Sequence, residues 1–102
     1  MNNNRLVIVD GVRTPFCRVG SDFGSLGADE LGRLAADALL TRTGLDPGLI
    51  DEVIFGCVAQ PAESANIARV IALRAGIPES VPAATVHRNC ASGFEAITTA
   101  AQ

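Results

Sequence analysis

Extended and helical patterns alternate along these 102 residues, and that alternation limits what the chain can fold into. Arg5 to Asp10 is an apolar, β-branched run, the pattern of a strand buried on both faces. The glycine-rich stretch from Gly11 to Gly27 reads as loop. From Ala28 to Thr43, the residues Leu31, Leu34, Ala35, Ala38 and Leu39 recur at the spacing of a helix with one buried stripe, and Gly44 supplies its stop. Asp46-Pro47 is placed to cap and begin a single helical turn. Glu52 to Val58 predicts a second strand, and Pro61 to Ser64 a polar loop. Asn66 to Ala75 predicts a second helix with Ile67, Val70, Ile71 and Ala75 on one face, ended by Gly76 and Pro78. Pro82 to Val86 is a third, short extended segment, and the sequence from Ala91 to Gln102 favours helix.

This order, β-α-β-α-β-α, predicts an α/β fold in which a mainly parallel sheet is layered against helices. Such sheets gather reactive groups at the carboxyl ends of strands and the N-termini of the helices that follow. The length allows one domain at most. With four Phe, no Tyr and no Trp, its core must be aliphatic and alanine-rich. Three strands make a narrow sheet with two raw edges, and the last segment finishes Thr99-Ala100-Ala101-Gln102 without a glycine or a basic turn. The expectation is a fragment, or a chain cut within an element.

Charge and cysteine usage exclude several classes. The net charge is −3, and the cationic residues, all Arg, are scattered, which leaves no footprint for nucleic acid or an anionic membrane. No apolar run reaches membrane-spanning length. Met1 to Arg5 lacks the hydrophobic stretch of a secretory signal, so a cytoplasmic location is expected. Cys17, Cys57 and Cys90 are odd in number and far apart, which argues against a disulfide framework. There is no Cys-x-x-Cys pair, and His87-x-x-Cys90 offers only two ligands, so no metal site is expected.

Cys90 lies where the third extended segment gives way to the last helix, within His87-Arg88-Asn89-Cys90-Ala91-Ser92-Gly93-Phe94-Glu95-Ala96. A thiol at a helix start meets unpaired backbone N–H groups and the positive end of the helix dipole, both of which favour a thiolate nucleophile. The pattern alone leaves open a small buried core thiol. Cys57, in an apolar strand, is expected in the core, and Cys17 is incidental to its loop. His87 stands three residues before Cys90 on extended chain, so the two should face apart and His87 is not expected to be its base. Asp10 and Arg13 are expected to pair or tie down the first loop, and Arg69 to be a structural salt-bridge donor. Ser92 and Gly93 are expected to leave room beside a reacting carbonyl, Gly93 also allowing close helix approach. Glu95 should suit the dipole while pointing away from Cys90.

Four segments resemble those of thiolases, in the same order. Val9-Asp10-Gly11-Val12-Arg13-Thr14-Pro15-Phe16 resembles their opening Arg-Thr-Pro motif, and Asp51 to Val58 their second strand. Asn66-Ile67-Ala68-Arg69 with Ala75-Gly76-Ile77-Pro78 resembles their second helix and its stop. Asn89-Cys90-Ala91-Ser92-Gly93 resembles the motif around their acyl-accepting cysteine. The resemblance covers Arg5 to Gln102 and is nearest the 3-ketoacyl-CoA thiolases of fatty-acid β-oxidation.

The resemblance implies the first part of a thiolase N-terminal domain, incomplete and without the second catalytic half. It implies acyl transfer between 3-ketoacyl-CoA and acetyl-CoA through a thioester on Cys90, with the Cys90 N–H contributing to an oxyanion hole. Coenzyme A enters as substrate, with no bound cofactor. The activating histidine of a Gly-His-Pro motif, a second cysteine acting as acid and base, and a water-orienting asparagine would all lie downstream, so the isolated chain is expected to be inactive. A homodimer or tetramer is implied, with Pro82 to Asn89 at the dimer interface, and a β-oxidation multienzyme partner is compatible. A related ketoacyl synthase or hydroxymethylglutaryl-CoA synthase, and a non-catalytic assembly fragment, are the alternatives.

Overall fold

Helix α1 (Ala28–Thr43) begins and ends where the apolar spacing places it. Gly44 closes it in the left-handed region at φ 68°, donating its N–H to Leu40 at 2.9 Å. The computed structural model describes residues 5–102, so the absence of a signal read at Met1 to Asn4 lies outside the described residues. After α1, Asp46 accepts the Gly48 N–H at 2.9 Å and starts the single 3-10 turn Pro47–Leu49. Strand β1 (Val53–Gly56), helix α2 (Ile67–Arg74), strand β2 (Ala83–Val86) and helix α3 (Ser92–Ala100) follow. The strands pair in parallel, Val53 with Ala83 through Gly56 with Val86, which makes α2 a βαβ crossover. The expected α/β class and parallel sheet therefore stand.

Gly76, at φ 81°, ends α2 with a Schellman motif: its N–H reaches Leu73 O, and the Ile77 N–H reaches Ala72 O. That turn drops Ile77 into the core, where it packs with Val53, Ala68, Ala72 and Val81, flanked by Leu40, Ile50, Phe55 and Ala83. The core is aliphatic and alanine-rich, as a chain with so few aromatics requires. At its other end, α2 is capped from across the sheet. The Thr85 hydroxyl on β2 accepts the Ala68 N–H at 3.0 Å and donates to the Asn66 carboxamide at 2.7 Å. Asn66 in turn donates to Ala83 O at 3.1 Å, and Gln60 accepts the Ile67 N–H.

Two expectations need correction. Arg5 to Asp10 is not a strand: Leu6 to Val9 are between 73% and 85% exposed and the segment has no ladder, because among the described residues the sheet contains only β1 and β2. A strand is defined by a partner as much as by its own side chains, and the described residues supply none. The segment runs beside α3, where Leu6, Val7 and Ile8 line a groove with Ile97 and Ala100. The buried stripe of α1 is also rotated. Leu34 and Ala38 are exposed, whereas Gly32 and Leu40 face inward. Gly32 sets the rotation: a Cβ there would fall 2.2 Å from Ile71 Cδ1, so α1 and α2 meet over the one α1 residue without a side chain.

Charge reinforces the same helix pair. Arg74 on α2 bonds Asp29 and Glu30 on α1 at 2.7 and 2.6 Å, and Arg33 bonds Glu30 and Asp37. The Glu30 carboxyl is held below its usual 4.5, chiefly by the hydrogen bond from Arg33, with the Arg33 and Arg74 charges adding and burial opposing. A carboxyl lowered in the folded state stabilises fully above its unfolded value, and that stability is lost as pH falls through the folded value. Glu30→Gln should therefore melt below the unsubstituted protein at neutral pH, the gap closing below about pH 4. Melting temperatures across the acid range check this; a gap that stays constant down to about pH 3 refutes it.

Candidate functional site

The connection from β2 to α3 spans five residues, His87 to Ala91, and the neighbouring strand shapes both its ends. Cys57 extends the β1–β2 ladder by donating its N–H to Val86 O at 3.0 Å. Two overlapping turns follow: Ala91 N–H donates to Arg88 O at 3.0 Å, and Ser92 N–H donates to Asn89 O at 3.1 Å. Asn89 takes φ 47°, the only positive φ outside glycine among the described residues. Asparagine tolerates that region better than most residues. Cys90 follows it, exposed, just ahead of the first turn of α3.

The first N–H groups of a helix have no intrahelical acceptor, so this end of α3 is an electropositive place for a sulfur or a reacting oxygen. Glu95, the acidic residue of that turn, has its carboxylate engaged by Arg88 at 2.8 Å, so its charge is opposed locally. His87 is exposed, and its Nδ1 accepts the Asn89 N–H at 3.3 Å. Its ring is thereby turned to the backbone of the connection.

Two residues under the turn do more than the sequence reading assigned. Ser92 is only 4% exposed, and its hydroxyl accepts the Arg88 N–H at 2.8 Å and donates to Asn89 O at 2.7 Å. Gly56, the last residue of β1, lies directly beneath. A Cβ on Gly56 would meet Ser92 O at 2.3 Å, Ser92 C at 2.4 Å and Gly93 N at 2.8 Å. The close approach expected of Gly93 is therefore made by Gly56; a Cβ on Gly93 would meet nothing within 4 Å. The signal for Gly56 was present, since a glycine at the end of a β-branched strand often marks a close backbone approach.

Other expected roles are redistributed. Asp10 pairs with Arg42 at 3.0 Å, while Arg13 lies over the Phe16 ring, 4.8 Å from its centroid. Arg69 forms no ion pair among the described residues; it donates to Val81 O at 3.1 Å, tying α2 to the turn before β2. Cys57 is half-buried at the strand end, and Cys17 is exposed in its loop. Among the described residues, no three of His, Cys, Asp and Glu are placed to hold a metal ion. The apolar grooves beside α1 are lined by residues such as Leu39, Leu40 and Ile50 and do not include Cys90. No helix among the described residues is long and apolar enough to cross a membrane.

A solvent-facing cysteine between a parallel strand and a helix start, on a turn stitched from below, belongs to the class of α/β sites that place a thiol beside helix N–H groups. The family is settled by comparison: residues 6–102 match Thiolase, N-terminal domain, and the chain belongs to that family. It is similar to the 3-ketoacyl-CoA thiolase of Serratia proteamaculans, 42% identical over 99% of this chain and 23% of that protein. The 3-ketoacyl-CoA thiolase of Aeromonas salmonicida is 44% identical over 91% of this chain and 21% of its own length. Human mitochondrial 3-ketoacyl-CoA thiolase, solved in complex with CoA, superposes with a TM-score of 0.83 at 38% identity, covering 86% of this chain and 22% of that one. Bacillus anthracis acetyl-CoA acetyltransferase superposes with a TM-score of 0.76, also at 38% identity, over 80% of this chain and 21% of that one. The chain thus spans under a quarter of the length of these relatives.

Proposed function

We propose that this chain is the opening part of the N-terminal domain of a thiolase acting on 3-ketoacyl-CoA, and that Cys90 is its acyl-accepting nucleophile. The observation that carries the reading is the placement of an exposed Cys90 at the β2–α3 junction within a family match spanning nearly the whole chain.

In the proposed reaction the Cys90 thiolate attacks the 3-keto carbon of the substrate. The bond between C2 and C3 then breaks, its electron pair goes to C2, and protonation there releases acetyl-CoA. The acyl group stays on sulfur as a thioester until a second CoA thiolate attacks it and expels Cys90. The backbone N–H of Cys90, beside the positive end of the α3 dipole, suits the oxyanion formed in each half. The base, the acid for C2 and most of the CoA-binding surface are proposed to come from sequence beyond these residues, so the 102-residue chain alone should not turn over. The open edge of β2, paired only with β1 among the described residues, supports placing a partner subunit along Pro82 to Asn89.

Incubating the protein that carries this chain with an acyl-CoA, then quenching in acid, should leave one acyl group on the peptide containing Cys90, removable by free CoA. Peptide mass spectrometry reads this directly. An acyl group only on Cys17 or Cys57, or none at all, would refute the assignment.

A further inference from the structure

We propose that Ser92 is a positioning residue for Cys90, its buried hydroxyl clasping Arg88 and Asn89 and so fixing the turn that presents the thiol. The inference rests on Cys90 being the nucleophile.

Helix α3 has no side-chain cap: Ala91 stands at the N-cap and Ser92 is the first helical residue, so the Ser92 hydroxyl has no capping role. Its hydroxyl instead points back across Cys90, accepting from Arg88 N–H at 2.8 Å and donating to Asn89 O at 2.7 Å. The Asn89 carbonyl is thus held twice by one residue, by the Ser92 N–H at 3.1 Å and by its hydroxyl. Asn89 is also the residue in the left-handed region, and its carbonyl is the one that Ser92 holds. The Arg88 N–H and the Asn89 carbonyl, which belongs to the peptide link into Cys90, are therefore tied to one buried oxygen.

That oxygen cannot drift, because Ser92 is 4% exposed and its backbone rests on Gly56. Removing the hydroxyl leaves the Arg88 N–H without its acceptor in a partly buried place, which forces the turn to rearrange. Attack on a bound thioester or ketone depends on the direction of the sulfur, whereas alkylation of an exposed thiol by a small reagent does not. The two reactions separate positioning from exposure.

The test compares Ser92→Ala and Ser92→Thr with the unsubstituted protein. For Ser92→Ala, single-turnover acylation of Cys90 by acetyl-CoA should slow by about tenfold or more, with kcat falling and KM nearly unchanged. Alkylation of Cys90 by iodoacetamide should stay within about twofold, and Ser92→Thr, which keeps the hydroxyl, should recover most of the acylation rate. Acylation of Ser92→Ala at the unsubstituted rate, or equal losses in both variants, overturns the inference. Should Ser92→Ala fail to fold, amide exchange in the unsubstituted protein decides: slowed exchange at the Arg88 N–H supports the clasp, and free exchange there overturns it. Failure to acylate Cys90 in the unsubstituted protein would instead sink the functional reading beneath it.

Discussion

In the protein that carries this chain, Cys90→Ala is expected to lower acyl transfer by a factor on the order of 100,000 in kcat while leaving the melting temperature where it was. The two halves of that expectation come from different observations. The Cys90 side chain is exposed, and substitutions at exposed sites outside caps and networks usually change stability by under about 0.5 kcal/mol. The turn around it is held by Ser92, Arg88 and Asn89, none of which is altered. The loss therefore falls on chemistry. A double-displacement reaction has no acyl-enzyme to form without its nucleophile, and exchange of labelled CoA into acyl-CoA should vanish together with net turnover. The measurement is thiolysis of acetoacetyl-CoA alongside thermal unfolding. A variant that keeps more than about 1% of turnover, or that loses turnover only because it unfolds, would remove Cys90 from the role assigned to it.

The parts of this site that were legible in the sequence are those governed by local rules. Helix α1 was bounded by its apolar spacing and by Gly44, and α2 by Gly76, because a left-handed cap needs glycine wherever the helix happens to sit. Cys90 could be placed at a helix start for the same reason: the change from extended to helical pattern is itself local. What the chain packs against is not local. Leu6 to Val9 carries the composition of a buried strand, yet composition does not say which backbone pairs with it. The rotation of α1 follows from Gly32 meeting Ile71, two residues far apart in sequence whose contact no periodicity encodes. Arg69 likewise shows only a cation in sequence, while its partner is a backbone carbonyl on the turn before β2. Ser92 and Gly93 stood out as small residues within the Cys90 motif, but the residue that needed to be small for packing was Gly56, in a separate element.

Gly56→Ala should accordingly damage both stability and activity, although Gly56 lies outside the Cys90 motif. An added Cβ would stand 2.3 Å from Ser92 O and 2.8 Å from Gly93 N, both backbone atoms, so no rotamer change relieves the contact. Ordinary contact begins near 3.4 Å, which means that the start of α3 must move by about 1 Å or that β1 must bend away from β2. Overpacking of this kind costs about 1–3 kcal/mol, and a clash against fixed backbone belongs at the upper end or above it. Alanine's lower conformational freedom in the unfolded chain offsets less than about 1 kcal/mol of that. A displacement of about 1 Å at Cys90, the proposed nucleophile, would lower kcat on the order of 100-fold, with a smaller effect on KM. The comparison that decides is Gly93→Ala, whose Cβ meets nothing within 4 Å and which should therefore fold as stably as the unsubstituted protein. If Gly56→Ala melts within a degree or two of the unsubstituted protein and keeps its kcat, the start of α3 does not rest on β1 as described. If Gly93→Ala is the more damaging of the two to stability, the close approach has been assigned to the wrong glycine.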